Sequence, residues 1–553
     1  MKKTSKVLAI LMTAVLTVSS LTGCGTSGGR PTSTGETSGQ GAIVSFPMTT
    51  DPDNLDASRA DDMQKNQIVL EVQETLVRFD ENGELQMAGA ESYKTSEDGL
   101  TWTFKLRDNK YSDGTEVKAA DYANGLLRVL DPEVGSHDAG TWYIVKNGEA
   151  YNNGKVGREE VGVKAVDDKT LEITLEQPIP YFLQMVNSSK VTPIPESHTQ
   201  GSDNTTYGTD ATKMVYSGPF QIAEWTRGSK VVLTKNPNYW DAVSVQLDTI
   251  NMPLVQEENT KQQMFEQGEL DILTEINSEY YEKLKDKIDS GEVTLVENSK
   301  PSNSYICFNN QDPNGIFTNA KIRKAFSLAI DRETYIDKVY KKDAPAYGII
   351  PPATNNGDTI FRDVVEEPLQ PTEDPKALLE EGLKEIGKEG ENIEVTFLQG
   401  NSDNATKVKS EYFQNQWETK LGVKVKIDTA SDSATFNQQV SKGDYQVCST
   451  GWGADYNDPM TFMQLYVTGD GNNAPFFSNE KYDELVTSCI SESNMAVRQE
   501  KFKEAEKIVV EEEAAVAPLT YGLAKNVMNN KVKGISFNGA GGPTVEFKTA
   551  SVE

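Results

Sequence analysis

Thr101-Trp102-Thr103-Phe104-Lys105-Leu106 alternates polar and apolar side chains, the period-two pattern of a strand with one buried face. Asp98-Gly99 before it and Tyr111-Ser112-Asp113-Gly114-Thr115 after it are turn sequences. Upstream, Ala42 to Met48 reads as a strand and Asp51 to Asp56 as a loop. Ile68, Val72 and Leu76 then recur every four residues, which predicts a helix. A second helix is expected from Ala119 to Leu127 despite its internal Gly125. Between Val161 and Leu175 two short strands flank Asp167-Asp168-Lys169, a hairpin signal. β-rich sequence resumes from Ser217 through Trp240, a helix is expected around Gln262 to Phe265, and Ser304 to Asn310 is the next clear strand. Ile322, Phe326 and Ile330 share one helical face. Beyond them strand and helix alternate: Val395 to Leu398, a helix around Tyr412 to Trp417, Val423 to Ile427, Tyr445 to Ser449, and helices within Tyr482 to Glu512. Hairpins early and alternation late argue for an α/β protein of several lobes.

The N-terminus breaks this pattern. Lys2, Lys3 and Lys6 precede an apolar run from Val7 to Val18, interrupted only by two threonines and too short to span a bilayer. It ends in Leu21-Thr22-Gly23-Cys24, which resembles the lipobox of bacterial lipoproteins, and that resemblance implies cleavage after residue 23 and lipidation of Cys24. Residues 24–41 carry this cysteine and then mostly Gly, Ser and Thr, a flexible tether with a reach of about 20–25 Å. The body that follows has no comparable apolar run.

Composition removes whole classes of function. The 553 residues include 54 Lys or Arg against 84 Asp or Glu, and a net charge of -30 argues against nucleic acid and anionic membrane surface as partners. After Cys24 only Cys307, Cys448 and Cys489 remain, without a Cys-x-x-Cys pair, so neither a zinc site nor a dense disulfide scaffold is indicated. His137 and His198 are the only histidines, which leaves few bases for a Ser-His-Asp arrangement and nearly excludes a His-rich metal site. Gly25-Thr26-Ser27-Gly28-Gly29 has the letters of a nucleophile elbow but lies in the tether, not between a strand and a helix. No phosphate-loop, His-Glu-x-x-His or dinucleotide motif occurs. No catalytic residue, metal or cofactor is expected, and the chain reads as a non-enzyme.

One stretch has another character. Gly451-Trp452-Gly453-Ala454-Asp455-Tyr456-Asn457-Asp458-Pro459-Met460-Thr461-Phe462 leaves the expected strand ending at Ser449 as a glycine- and aromatic-rich turn. Glycines allow a close backbone approach, two rings offer flat apolar walls, and Asp455 sits between them as a candidate anchor. Residue types alone equally allow a strand-end loop in which Trp452 and Tyr456 fill core and Asp455 or Asp458 caps a helix from Pro459.

Four stretches in order decide between these readings. Glu91 to Arg107 continuing to Tyr111-Ser112-Asp113-Gly114-Thr115, Ser217-Gly218-Pro219-Phe220 with Asn236-Pro237-Asn238-Tyr239-Trp240, Ile322 to Glu333, and the Gly451 to Phe462 stretch resemble the solute-binding proteins of peptide-importing ABC transporters. The resemblance spans nearly all of the mature chain. It implies a two-lobed periplasmic-binding-protein-like α/β fold with a hinge and an additional smaller domain. Lobe I would comprise residues 42–80, 205–300 and 521–553, the extra domain 81–204, and lobe II 301–520. It further implies that Asp455 binds the α-ammonium of an extended peptide, with Gly451, Trp452, Gly453, Tyr305 and Tyr521 around it and Trp142 reaching in from the extra domain. Some members carry a cysteine where this chain has Gly453, bonded to a cysteine matching Cys307. Here Cys307 either pairs with Cys448 or stays a buried thiol, and the thiol is expected.

The implied partners are short peptides, transmembrane permease subunits with cytoplasmic ATPases, and a membrane reached through the lipid anchor. The protein itself would be a monomer on the outer face of the cytoplasmic membrane. The rival readings are the same fold holding a non-peptide solute, a secreted hydrolase or peptidase, and a peptide-sensing surface lipoprotein without a transport role.

Overall fold

Strand Thr101–Leu106 forms where its alternation places it, with Trp102, Phe104 and Leu106 buried. It pairs antiparallel with Ala90–Thr95 and Thr170–Thr174, and Val163–Asp167 completes this four-stranded sheet. Helix Ala119–Val129 packs on the same core, its first turn fixed by the Asp121 carboxylate accepting from the Lys118 backbone N–H at 2.9 Å. Gly125 is required there, because a Cβ would stand 2.1 Å from the Thr192 carbonyl oxygen. These elements share a hydrophobic core drawn from residues 76–191 with Val215.

The computed structural model describes residues 41–80, 84–201, 203–357, 359–538 and 544–553. The expected export signal, lipidated Cys24 and tether lie outside the described residues. None of the described helices is long and apolar enough to cross a membrane.

A second core gathers residues 44–72, 194–272 and 528–550 around the sheet Ile43–Ser45, Thr249–Pro253, Lys230–Lys235 and Phe220–Thr226. Helix Met63–Val72, capped by Asp62 on the Lys65 N–H, lies against it. The helix stops at Val72, so Leu76 is not on its face as the four-residue spacing suggested. Gln73 is already extended, and its side chain is spent on Val215 and Ser217 at the start of the β-rich segment.

The third body is built on a seven-stranded mixed sheet, in the order Ile272–Leu273, Val516–Asn529, Val293–Phe308, Val447–Gly453, Glu394–Gln399, Lys424–Thr429, with Ala344–Pro345 beside the second. Two hydrophobic clusters within residues 305–519 cover its faces. Strands Val293–Phe308 and Val516–Asn529 pair antiparallel over most of their length and are 16 and 14 residues long, roughly 50 Å of extended chain each. One end of this ribbon buries Val293 and Val527 with helix Ser278–Asp289, and the other buries Cys307 and Val516 in the large sheet. Between the ends, the register slips between Ser299 and Asn303 around Pro301, which has no N–H to give the ladder. A two-stranded ribbon with a local break is a natural place for bending.

Candidate functional site

Strand Val447–Gly453, an inner strand of the seven-stranded sheet, carries the candidate residues. It runs four residues past the expected end at Ser449, because its backbone stays paired with Val293–Phe308 as far as Ser302 opposite Gly453. Gly451 and Trp452 are therefore strand residues and not part of a turn. The two glycines have different reasons. A Cβ at Gly451 would lie 2.3 Å from the Asn303 carbonyl oxygen, so the pairing itself demands glycine, whereas a Cβ at Gly453 would meet nothing within 4 Å. The space beside Gly453 is open.

That space is a cavity of about 460 Å³. Gly453, Asp455 and Tyr456 form one wall, Trp142, Asp138 and Lys190 another, and Lys300, Pro301 and Ser302 of the slipped ribbon its back. Asp455, Gly453 and Trp142 are thus brought together around the cavity, with Trp142 itself buried. The Asp455 side chain is open to the cavity, and among the described residues it has no cationic partner. Desolvation by the walls is the main force that raises its pKa above the ordinary value; a hydrogen bond from Thr461 opposes this, and the like charge of Asp138 adds to it. The cations nearby are already engaged, Lys190 with Asp138 at 2.9 Å and Lys300 with Glu275 at 2.6 Å. An unpaired carboxylate in a partly desolvated hollow is suited to receive a cation from outside.

A second hollow, of about 570 Å³, is lined by Trp452 with Tyr305, Thr450, Gly451, Phe436 and Phe476 among others. Tyr305, Gly451 and Trp452 belong to this hollow and not to the first. Tyr521 reaches neither of the two. It is 3% exposed, and its hydroxyl lies 3.5 Å from Arg362, which is itself ion-paired with buried Glu506, so the ring is drawn inward. Cys307 and Cys448 face each other across paired strands as free buried thiols, with the Tyr445 hydroxyl 3.1 Å from Cys307 Sγ.

Several site residues had no signal in the sequence. Asp138 and Lys190 arrive from the segment 81–204, more than 250 positions before Asp455. Tyr181 from the same segment stacks on Tyr456 at 4.6 Å between ring centroids and 5° between planes. Asp458 does cap the Met460 N–H, as the bland reading of the loop expected, but it also takes both arms of Arg498 at 2.6 Å. The Asp455 loop is thereby tied to helix Met495–Lys507, and neither charge is more than 1% exposed.

Residues 84–474 match the model of the bacterial extracellular solute-binding proteins, family 5. The chain belongs to this family. Other members are similar over most of its length. The oligopeptide-binding protein OppA of Bacillus subtilis (strain 168) is 31% identical, with 98% of each chain covered. The dipeptide-binding protein DppE of the same organism is 31% identical, with 84% of each covered. Among solved structures, Listeria monocytogenes OppA bound to peptide superposes with a TM-score of 0.68 at 28% identity, covering 93% of this chain and 99% of that one. The chain has the two-lobed α/β fold of this family, whose members are solute-binding proteins.

Proposed function

We propose that this protein captures short peptides outside the cytoplasmic membrane and delivers them to the permease of an ABC importer. The observation that carries the reading is Asp455: an unpaired carboxylate, facing a cavity, at the end of a strand whose last glycine is open to a close backbone approach. A peptide of any sequence offers an ammonium and a row of amides. The carboxylate takes the first, and exposed strand backbone takes the second by β-augmentation. The hollow beside Trp452 receives a side chain, and its lining of aromatic residues with Asp470 sets tolerance. The peptide-binding relatives support this choice of ligand.

The finer organisation follows the same proposal. Lobe I is 42–80, 205–300 and 521–553, the extra domain 81–204 and lobe II 301–520, with the ribbon around Ser299 to Asn303 as the hinge. The protein acts as a monomer, held to the membrane by a lipid on Cys24. Replacing Cys24 with alanine is expected to release it from the membrane fraction into the medium; retention of the Cys24→Ala protein on membranes removes the anchor from the account.

Calorimetric titration with trialanine across acidic to neutral pH tests the site. Binding needs the ionised carboxylate, whose pKa is raised. Affinity is therefore full at neutral pH and falls on acidification, starting at a higher pH than an ordinary aspartate would give. An affinity independent of pH down to the usual aspartate range speaks against Asp455 as the anchor.

A further inference from the structure

Thr461 stands six residues past Asp455, in the short helix Met460–Met463, with its side chain fully buried. Its Oγ1 accepts from the Trp452 indole N–H at 3.3 Å and from the Asp455 backbone N–H at 3.2 Å, and donates to Asp455 Oδ2 at 3.4 Å. A hydroxyl has two acceptor sites and one proton, so this group is used completely. The direction of each bond is forced. Indole and amide N–H groups only donate, so among these three partners the hydroxyl proton can go only to the carboxylate. The distances are long for such bonds, which makes the hydroxyl a guide for orientation more than a clamp.

One atom therefore connects the wall of the second hollow, the backbone of the anchor residue and the anchor carboxylate itself. We propose that Thr461 is a positioning residue of the peptide site, holding the Asp455 carboxylate toward the cavity while fixing Trp452 in register with it. The inference rests on the reading of Asp455 as the ammonium anchor. With Oδ2 steered by Thr461, the remaining lone pairs of Asp455 are left for the ligand. Trp452 is held from two sides, since the Asn303 side-chain oxygen accepts its backbone N–H at 3.2 Å. A peptide lying along this strand then meets a charge and an aromatic wall at a set spacing.

Charged and titratable groups surround the Asp455 carboxylate. Asp138 with its partner Lys190 lies on the opposite wall, Lys300 with Glu275 at the back, and Tyr456 follows Asp455 in the chain. The Thr461 hydrogen bond favours the ionised form of Asp455 against burial and the like charge of Asp138. Without it, those two act unopposed and protonation begins at a higher pH.

The test compares wild type, Thr461→Val and Thr461→Ser, each titrated with trialanine and with N-acetyl-trialanine from acidic to neutral pH. Valine keeps the shape and removes the hydroxyl; serine keeps the hydroxyl. The preference of the wild type for the free N-terminus is expected to shrink severalfold in Thr461→Val, less than the loss of a short charge-assisted hydrogen bond would give, because the bond is long. The acid limb of its binding curve moves up in pH, and Thr461→Ser stays close to wild type on both counts. An unchanged preference and acid limb in Thr461→Val overturns the positioning role, as does equal weakening of both peptides together with a lowered melting temperature. Wild type binding both peptides equally overturns the ammonium-anchor reading itself, and the positioning role with it.

Discussion

Asp455→Ala is expected to lower affinity for peptides with a free N-terminus by one to three decades, while the unliganded protein melts close to wild type, because relief of the desolvated charge offsets the loss of the Thr461 hydrogen bond. The first half follows from removing one partner of a desolvated charge pair, which costs about 2–5 kcal/mol. The second half follows from the sign of the pKa shift. A carboxylate whose pKa is raised by folding is less comfortable in the folded protein than in the unfolded chain whenever it is ionised. It therefore lowers stability at neutral pH, and that penalty disappears as pH falls below the ordinary aspartate value. Solvent access through the cavity keeps the effect small. Isothermal titration and thermal melting of the same two proteins separate the halves. Loss of stability without loss of affinity would return Asp455 to the role of a structural loop residue.

Asp458→Ala, three positions along, is expected to do the opposite. Asp458 and Arg498 are fully buried and doubly hydrogen-bonded, and removing one member leaves the other charge stranded, at a cost of about 3–5 kcal/mol. Arg498 also donates to the Cys489 carbonyl and to Asn356, so its loss of a counter-charge disturbs three segments together. Urea unfolding monitored by tryptophan fluorescence reads this as an earlier transition. Replacing both residues by apolar ones of similar size, Asp458→Leu with Arg498→Met, is expected to cost less than Asp458→Ala alone. A double variant no better than the single one would show that the ion pair, and not the stranded charge, supplies the stability.

The contrast between these neighbours explains what was legible in the sequence. Local periodicity set Thr101–Leu106, and the hairpin of Val163–Asp167 with Thr170–Thr174 lies where turn residues announced it. Strand Val516–Asn529 carried no such signal. It is buried on both faces for its first seven residues, so polar and apolar positions do not alternate, and Pro518 and Gly522 interrupt it. Its partner Val293–Phe308 contains Pro301 and has a clear strand pattern only from Ser304 onward. Pairing between segments about 220 positions apart rescues both, and no local window contains that information. The same applies to the site. Asp455 and its glycines were readable as types in a pattern. Thr461, Asp138 and Tyr181 acquire their roles only from neighbours that folding supplies.

Native mass spectrometry of the protein incubated with a mixture of short peptides tests the central claim most directly. A single chain carrying masses of individual peptides, and losing them in Asp455→Ala, is the result this account predicts. A single chain with no added mass at any peptide concentration, in wild type as in Asp455→Ala, would contradict it.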